Sequence, residues 1–378
     1  MLLYFILVIY ILLLGLYLSS GKESDLKQRI YLYLTFGLLT VLAALRAETV
    51  GNDTIEYLRL FENISITKDL SYFSPRFEIG YVYLNKILSL ISYNPQIILI
   101  VTSSLIMYGF MRFIKKYSKI PMLSVFMFFS LGYYGMTMNT IRLNLAIVLI
   151  LFSYDFLKKN KLFKFIIIVI LASLFHRTAI VFLIAWPMRK LSISLKLIMA
   201  IMITSSLLYI LFPTILNLLF SIFPTYQYYV GSVYLDGEIR LASIMNILVG
   251  LSIILLGAIT KYNNMNLVTD EIIKEKDSRR KSEEEIVNDE QLMFLFLIIS
   301  VAITFLSFKF NLLDRVSDYF LVFSIVYLPN AIKHVKEKKL VVFLVLVIIT
   351  LFFIYATLIQ IMRPEWNRIY PYEFFWNM

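Results

Sequence analysis

The sequence predicts an all-α, polytopic integral membrane protein, and three observations lead there. Mean hydropathy is +0.79 and 60% of residues are hydrophobic. Charged residues make up only 16%, whereas a soluble chain carries about 25%. Apolar runs of about 17 to 25 residues recur from end to end, each long enough as a helix to cross a hydrocarbon core about 30 Å thick. The expectation is a single transmembrane domain over residues 1–378, with about 11 to 13 spanning helices.

Composition also narrows the chemistry. The net charge of +11 resides in short basic clusters between apolar runs, the pattern of cytoplasmic loops under the positive-inside rule, and not in a nucleic-acid-binding face. There is no cysteine, which excludes disulfides, thiolate catalysis and Cys-ligated metals. The two histidines, His176 and His334, are too few for a multi-His metal site, so no metal or other cofactor is expected. No Gly-rich phosphate loop marks an ATP-driven pump.

Taken in order, Leu2–Leu18 reads as a first retained span, followed by Lys22, Lys27 and Arg29 on the cytoplasmic side. Ile30–Leu45 runs outward and ends at Arg46. Residues 46–77 form a mixed-charge first extracytoplasmic loop. Within it, Asp53-Thr54 is a helix start, and Ile55, Leu58 and Phe61 would face the membrane surface. Glu78–Ser92 is apolar but only about 22 Å long as a helix, and Asn94-Pro95 breaks it. Ile97–Phe113, Pro121–Tyr134 and Ile141–Leu157 follow. Phe163–Pro187 is apolar except for His176-Arg177 at its middle. Ile193–Phe212 leads to a second extracytoplasmic loop, residues 213–240, rich in aromatics. Leu241–Thr260 returns to a charged cytoplasmic loop, residues 261–290. Gln291–Phe308, Val316–Ile332 and Leu340–Ile361 complete the set, leaving an aromatic extracytoplasmic tail suited to an interface belt.

Two topologies fit. If the basic clusters at 22–29, 112–119 and 158–164 all lie inside, Glu78–Ser92 does not cross and Phe163–Pro187 is a hairpin with His176-Arg177 at its outer tip. If both ambiguous segments cross once, eight Lys/Arg land outside. The first is the preferred topology, with short or broken helices near residues 78–92 and 163–187, a device by which membrane proteins build sites at depth.

On that topology Arg46, Arg142, His176, Arg177, Asp314, Arg315 and Asp318 all fall at outer helix ends, with Asp53, Arg59, Arg76 and Glu78 in the loop above. Charge so placed is costly, about 2.5–3.5 kcal/mol per residue at a helix centre. Arginine is suited to phosphate oxygens, and a lipid pyrophosphate lies at that depth. Plainer roles compete: His176 as a packed histidine, Arg142, Arg46 and Arg315 as snorkelling residues, Asp53 as a helix cap, Glu78 as a partner of Arg76 or Arg46, Asp314 and Asp318 as partners of Arg315. Asp155 and His334 read as structural.

The ordered motifs are R-x-x-x-V-G-N-D-T-x-x-Y (Arg46–Tyr57), E-I-G-Y-x-x-L-N (Glu78–Asn85), M-N-x-I-R-x-x-L-A (Met138–Ala146), L-A-S-L-F-H-R-T-A-I (Leu171–Ile180) and D-R-V-S-D-Y-F (Asp314–Phe320). As an ordered set they resemble the EpsG family of bacterial polysaccharide proteins, related in type to the Wzy O-antigen and capsule polymerases. Arg177 and Leu143 depart from that pattern, where a small or polar residue and a Gln are expected.

The resemblance implies a metal-independent membrane glycosyltransferase in the bacterial cytoplasmic membrane. It would join undecaprenyl-pyrophosphate-linked oligosaccharide repeat units on the outer face into capsule, exopolysaccharide or O-antigen. Partners would be that lipid-linked substrate and, in the same pathway, a flippase and a chain-length regulator, with no nucleic acid. Arg142, Arg177 and Arg315 would hold phosphate, supported by Arg46 and Asn139. His176 would serve as base or hold the acceptor, with Asp53 and Glu78 as further candidates for the base. The alternatives are a lipid-linked oligosaccharide flippase, for which no repeated halves are evident, and an O-acyltransferase or ligase of the same pathway.

Overall fold

The structure, a computed structural model, describes residues 2–19, 24–74, 76–222, 231–232, 235, 238–268 and 289–377. It is helical, as expected. Among the described residues five helices are long and apolar enough to cross a membrane: Gln96–Tyr117, Leu195–Leu218, Leu241–Thr260, Asp289–Ser307 and Lys338–Met362. The chain divides into two compact units, residues 1–156, 163–180 and 336–378 in the first and residues 157–162 and 181–335 in the second.

The first unit opens with α1 (Leu2–Ser19) and α2 (Asp25–Ala44), then α3 (Thr54–Ile66) in the loop region. Helix α3 buries Tyr57, Leu60, Phe61 and Ile64. The expected apolar face of Ile55, Leu58 and Phe61 is therefore turned by about one position, because Tyr57 packs edge-on against Tyr81 with ring centroids 5.7 Å apart and Ile55 and Leu58 stay half-covered. Helix α4 (Ile79–Ser89) is short, about 16 Å at 1.5 Å per residue. It lies beside α3 through Lys86, whose ammonium donates to the carbonyls of Ile64, Ser65 and Thr67 at 2.9–3.2 Å. A cation at a helix C-terminus meets both the unpaired carbonyls and the negative end of the dipole.

Helix α5 (Gln96–Tyr117) is about 33 Å long and spans. At its start, the Gln96 amide donates to the carbonyls of Ala44 and Arg46 and so closes the end of α2. The expected span over Pro121–Tyr134 is two pieces, α6 (Pro121–Ser130) and α7 (Tyr133–Asn139), because Gly132 at φ 86° turns the chain between them. Helix α6 is apolar all round and buried almost throughout, as such a helix must be, with Phe128 against Phe110 and Phe36.

Helix α8 (Ile141–Lys158) carries Arg142 in its first turn and Asp155 in its last, about 20 Å apart along the axis. Asp155 is paired with Arg112 and accepts from Tyr117, and Lys116 lies 2.7 Å away, so this carboxylate is engaged within the protein. Helix α9 (Leu162–Ser173) ends at a break over residues 174–176, followed by a 3₁₀ turn, Arg177–Ile184, and α10 (Ala185–Met188). The segments near 78–92 and 163–187 are thus short and broken, as the sequence predicts.

In the second unit α11 (Leu195–Ile222) runs through Pro213 instead of stopping at Phe212. The expected loop 213–240 is helical to Ile222, and most of the rest lies outside the described residues. Helices α12 (Leu241–Val268) and α13 (Asp289–Ser307) flank residues 269–288, on which most of the expected charged cytoplasmic loop falls and which lie outside the described residues. The predicted Val316–Ile332 span is broken into α14 (Leu313–Leu321) and α15 (Ser324–Lys333). Pro329 cannot donate to Ile325, and just upstream the ladder tightens to bonds three residues apart at Phe323, Ile325 and Val326. The Phe182 ring packs on Phe296, Phe320 and Phe323. A polar seam joins α13 to α14, with Thr304 and Ser317 hydroxyls 2.7 Å apart.

The chain returns to the first unit with α16 (Lys338–Met362) and the tail. The tail is bonded to the end of α2. Arg46 and Phe374 form an antiparallel bridge, with the Ala47 amide on the Glu373 carbonyl at 2.9 Å and the Phe375 amide on the Leu45 carbonyl at 3.0 Å. The Tyr372 hydroxyl donates to the Leu42 carbonyl at 2.6 Å, and Phe374 stacks on Trp376. The end of α2 leaves carbonyls without helical partners; the tail takes those of Leu42 and Leu45, while Arg46 and Gln96 take those of Ala43 and Ala44.

Candidate functional site

Six of the expected residues, with the exposed Asp53, gather around the first loop of unit one. They sort into a buried frame and a half-open cationic face.

Arg46 belongs to the frame. It has 0% exposure, and its guanidinium donates to Thr54 Oγ1 at 3.2 Å, the Met138 carbonyl at 3.1 Å, Ser103 Oγ at 3.5 Å and the Ala43 carbonyl. Burial draws it down to about 10, which leaves it charged at neutral pH. Expected to support a phosphate, it is instead spent on the protein. Four segments of the first unit need its donors, and none of its surface reaches a ligand.

Asn139 is likewise turned inward. Its carbonyl accepts from the Asn52 amide at 2.5 Å, and its own amide donates to the carbonyls of Gly135 and Asn367 at 2.9 and 3.0 Å. Gly51, at φ 92°, makes this close approach possible and donates to the Arg368 carbonyl at 2.9 Å. Asn52 adds bonds to the carbonyls of Glu365 and Trp366. The V-G-N-D-T motif, the M-N motif and the tail thus form one knot. Asp53 stands at the head of α3, exposed, and makes no side-chain cap bond to that helix.

The open face centres on Glu78. One carboxylate oxygen pairs with Arg142, and the other accepts from the Arg177 backbone amide at 3.4 Å. The Arg177 guanidinium is exposed and donates to the Ser74 carbonyl at 2.9 Å. Arg142 lies over the Phe77 ring at 5.1 Å, and Arg76 lies over the same ring at 5.4 Å. The Arg142 Nε is buried without an acceptor, an unmet donor of the kind a bound anion would satisfy. The Tyr57 phenol is pushed up by burial and pulled back by the charge of Arg142. His176 sits half-exposed beside Arg177, its Nδ1 2.8 Å from Thr178 Oγ1. That contact orients the ring.

A glycine sets the spacing. The Gly80 amide donates to the Leu174 carbonyl at 2.9 Å, and a methyl group on Gly80 would stand 2.7 Å from that oxygen. The start of α4 and the end of α9 therefore meet backbone to backbone, which brings Glu78 to Arg177. Phe77 and Gly80 were not singled out from the sequence. For Gly80 the signal was a glycine one step inside a helix start, in the E-I-G-Y motif; Phe77 carried none.

Arg315 lies in the second unit with Asp314 and Asp318. Asp314 accepts from Ser243 at 2.6 Å, which gives it a partner other than Arg315. His334 pairs with Glu290. Among the described residues no cluster of three or more His, Cys, Asp and Glu side chains is arranged for a metal.

No curated protein and no solved structure matches the chain. The model of the EpsG family matches residues 29–374, nearly the whole length and every motif set out above. With its all-helical, multi-span architecture, the chain therefore belongs to the EpsG family, the family of Wzy-type polysaccharide polymerases.

Proposed function

We propose that this protein polymerises lipid-pyrophosphate-linked oligosaccharide repeat units, of the undecaprenyl type, on the outer face of the bacterial cytoplasmic membrane. The observation that carries the reading is the Arg142–Glu78–Arg177 cluster. Two guanidinium-bearing segments are held together by one carboxylate, with an unfilled buried donor on Arg142.

Glu78 neutralises part of this charge and fixes where the rest points, so it is a positioning residue. The remaining donors of Arg142 and Arg177 meet the pyrophosphate, where arginine's fork geometry fits two oxygens at once. A hydroxyl of the acceptor unit attacks the anomeric carbon of the donor sugar. The new carbon–oxygen bond forms as the bond from that carbon to the pyrophosphate oxygen breaks, and the electron pair leaves with the pyrophosphate. The hydroxyl proton passes to His176 Nε2, while Thr178 holds Nδ1. Charge builds on the leaving oxygens, and preorganised guanidinium groups stabilise it there. Arg46 and Asn139 hold the loop that carries Asp53 and Tyr57.

The test is a size analysis of surface polysaccharide and lipid-linked precursors from cells with the gene intact, deleted, or carrying Arg142→Ala or His176→Ala. Collapse of long chains to single repeat units on the outer face is expected, with the variants present in the membrane at normal levels. Precursors held on the cytoplasmic face would make the protein a flippase. Unchanged chain length with a lost decoration would make it an acyltransferase.

A further inference from the structure

Two short helices of the first unit, α4 and α9, share a feature that the charged cluster does not explain. Helix α4 exposes Ile79, Tyr83 and Ile87 at 49–56%, spaced four residues apart and so aligned on one face. On the other side Ile167 and Leu171 of α9 and Leu174 just past its end are exposed at 38–60%, at steps of four and three residues that keep them on one helical face. The opposite faces of both helices are buried. Each stripe ends at the cluster. Ile79 follows Glu78 directly, and Leu174 lies against Gly80, two residues before His176. Helices of about 16 and 18 Å cannot cross a core of about 30 Å. Their apolar faces therefore run only part of the way through it, from a common polar end.

We infer that these two stripes form the binding track for the polyisoprenoid chain of the lipid-linked donor. The inference rests on the polymerase reading, because it takes the pyrophosphate to sit at Arg142 and Arg177. A lipid anchored there must lead its hydrocarbon away from the charge, and the apolar surface continuous with the cluster is α4 on one side and α9 on the other. Relative to bulk lipid the gain from contact with these side chains is small, so the pyrophosphate supplies the specificity and the stripes supply the direction.

The experiment places a benzophenone amino acid singly at Tyr83, Ile87 and Ile167. Controls carry it at Leu346 and Ile354, equally exposed positions on α16 of the same unit. The probe is a radiolabelled polyprenyl-pyrophosphate-linked repeat unit in detergent–lipid micelles, and only proteins that elute as a single folded species are scored. Labelling at the stripe positions is expected severalfold above the controls and lost on competition with unlabelled polyprenyl pyrophosphate. Even labelling at all positions, or labelling indifferent to the competitor, assigns the stripes to bulk lipid and overturns the inference. The same proteins are assayed for elongation of the probe. Even labelling with elongation sinks the track and leaves the polymerase standing. Stripe labelling in protein that never elongates the probe does the reverse.

Discussion

Replacing Gly80 by alanine perturbs the backbone contact between the start of α4 and Leu174, just past α9. The added methyl would stand 2.7 Å from the Leu174 carbonyl oxygen and 3.0 Å from its carbonyl carbon and Cβ. A carbon ordinarily meets such an oxygen at about 3.3 Å or more, so the segments must part by roughly 0.6 Å. No side-chain rotation relieves this, because the obstacle is backbone. The Gly80–Leu174 hydrogen bond, now 2.9 Å, stretches beyond the usual range, and the Glu78–Arg177 contact, already 3.4 Å, is lost. Overpacking costs about 1–3 kcal/mol and the hydrogen bond about 1 kcal/mol, against a helix-propensity gain of up to about 1 kcal/mol. The net is a destabilisation of roughly 1–3 kcal/mol, with Arg177 displaced. Displacements of that order at a site cost about tenfold or more in rate. Gly37 supplies the control, since a methyl there meets nothing within 4 Å. Gly37→Ala keeps the propensity gain without the clash. Thermal unfolding in detergent and polymer length in cells measure both. Gly80→Ala should melt below Gly37→Ala and give short chains. Equal melting temperatures with full-length polymer would refute the reasoning.

Three further substitutions separate frame from site. Arg46→Met strips the Ala43 and Met138 carbonyls of their buried donor, at about 1–3 kcal/mol for each unmet group. The monodisperse fraction on size exclusion should collapse, and Arg46→Lys should fail to restore it because an ammonium cannot span the same acceptors. Lys86→Met removes three bonds from the end of α3 and should lower stability by about 1–2 kcal/mol; an unchanged melting temperature would show the bonds contribute nothing. Asp155→Asn leaves Arg112 and Lys116 without a counter-charge at a part-exposed position, a loss of about 1–3 kcal/mol. Polymer made per folded molecule should stay constant, and a fall in that ratio would put the chemistry at the other end of α8.

The membrane class was legible because it needs only composition and run length. The short helices were legible for a related reason. Asn94-Pro95 caps an apolar segment too brief to span, and His176-Arg177 interrupts another at its middle, so local rules sufficed. Breaks at Gly132 and upstream of Pro329 were written in the sequence too, as a glycine and a proline, but within apolar runs that invite reading as single spans. The gathering of Glu78, Arg142, His176 and Arg177 was readable as an expectation, from motifs and charge at helix ends.

Which arginine keeps an unmet donor was not readable. Arg46 and Arg142 look alike in sequence, each at the end of an apolar run. Arg46 is consumed because the tail, whose Tyr372 bonds to a carbonyl 330 residues earlier, closes over the end of α2 and excludes water. Arg142 keeps an unmet donor because its one carboxylate, Glu78, engages it from one side only. Composition, spans and motif order follow from the chain itself, since hydrophobic length and backbone hydrogen bonding are local demands. The sorting of identical charges into frame and site came only with tertiary structure, because burial and the identity of a guanidinium's acceptors depend on segments that meet only in the folded chain.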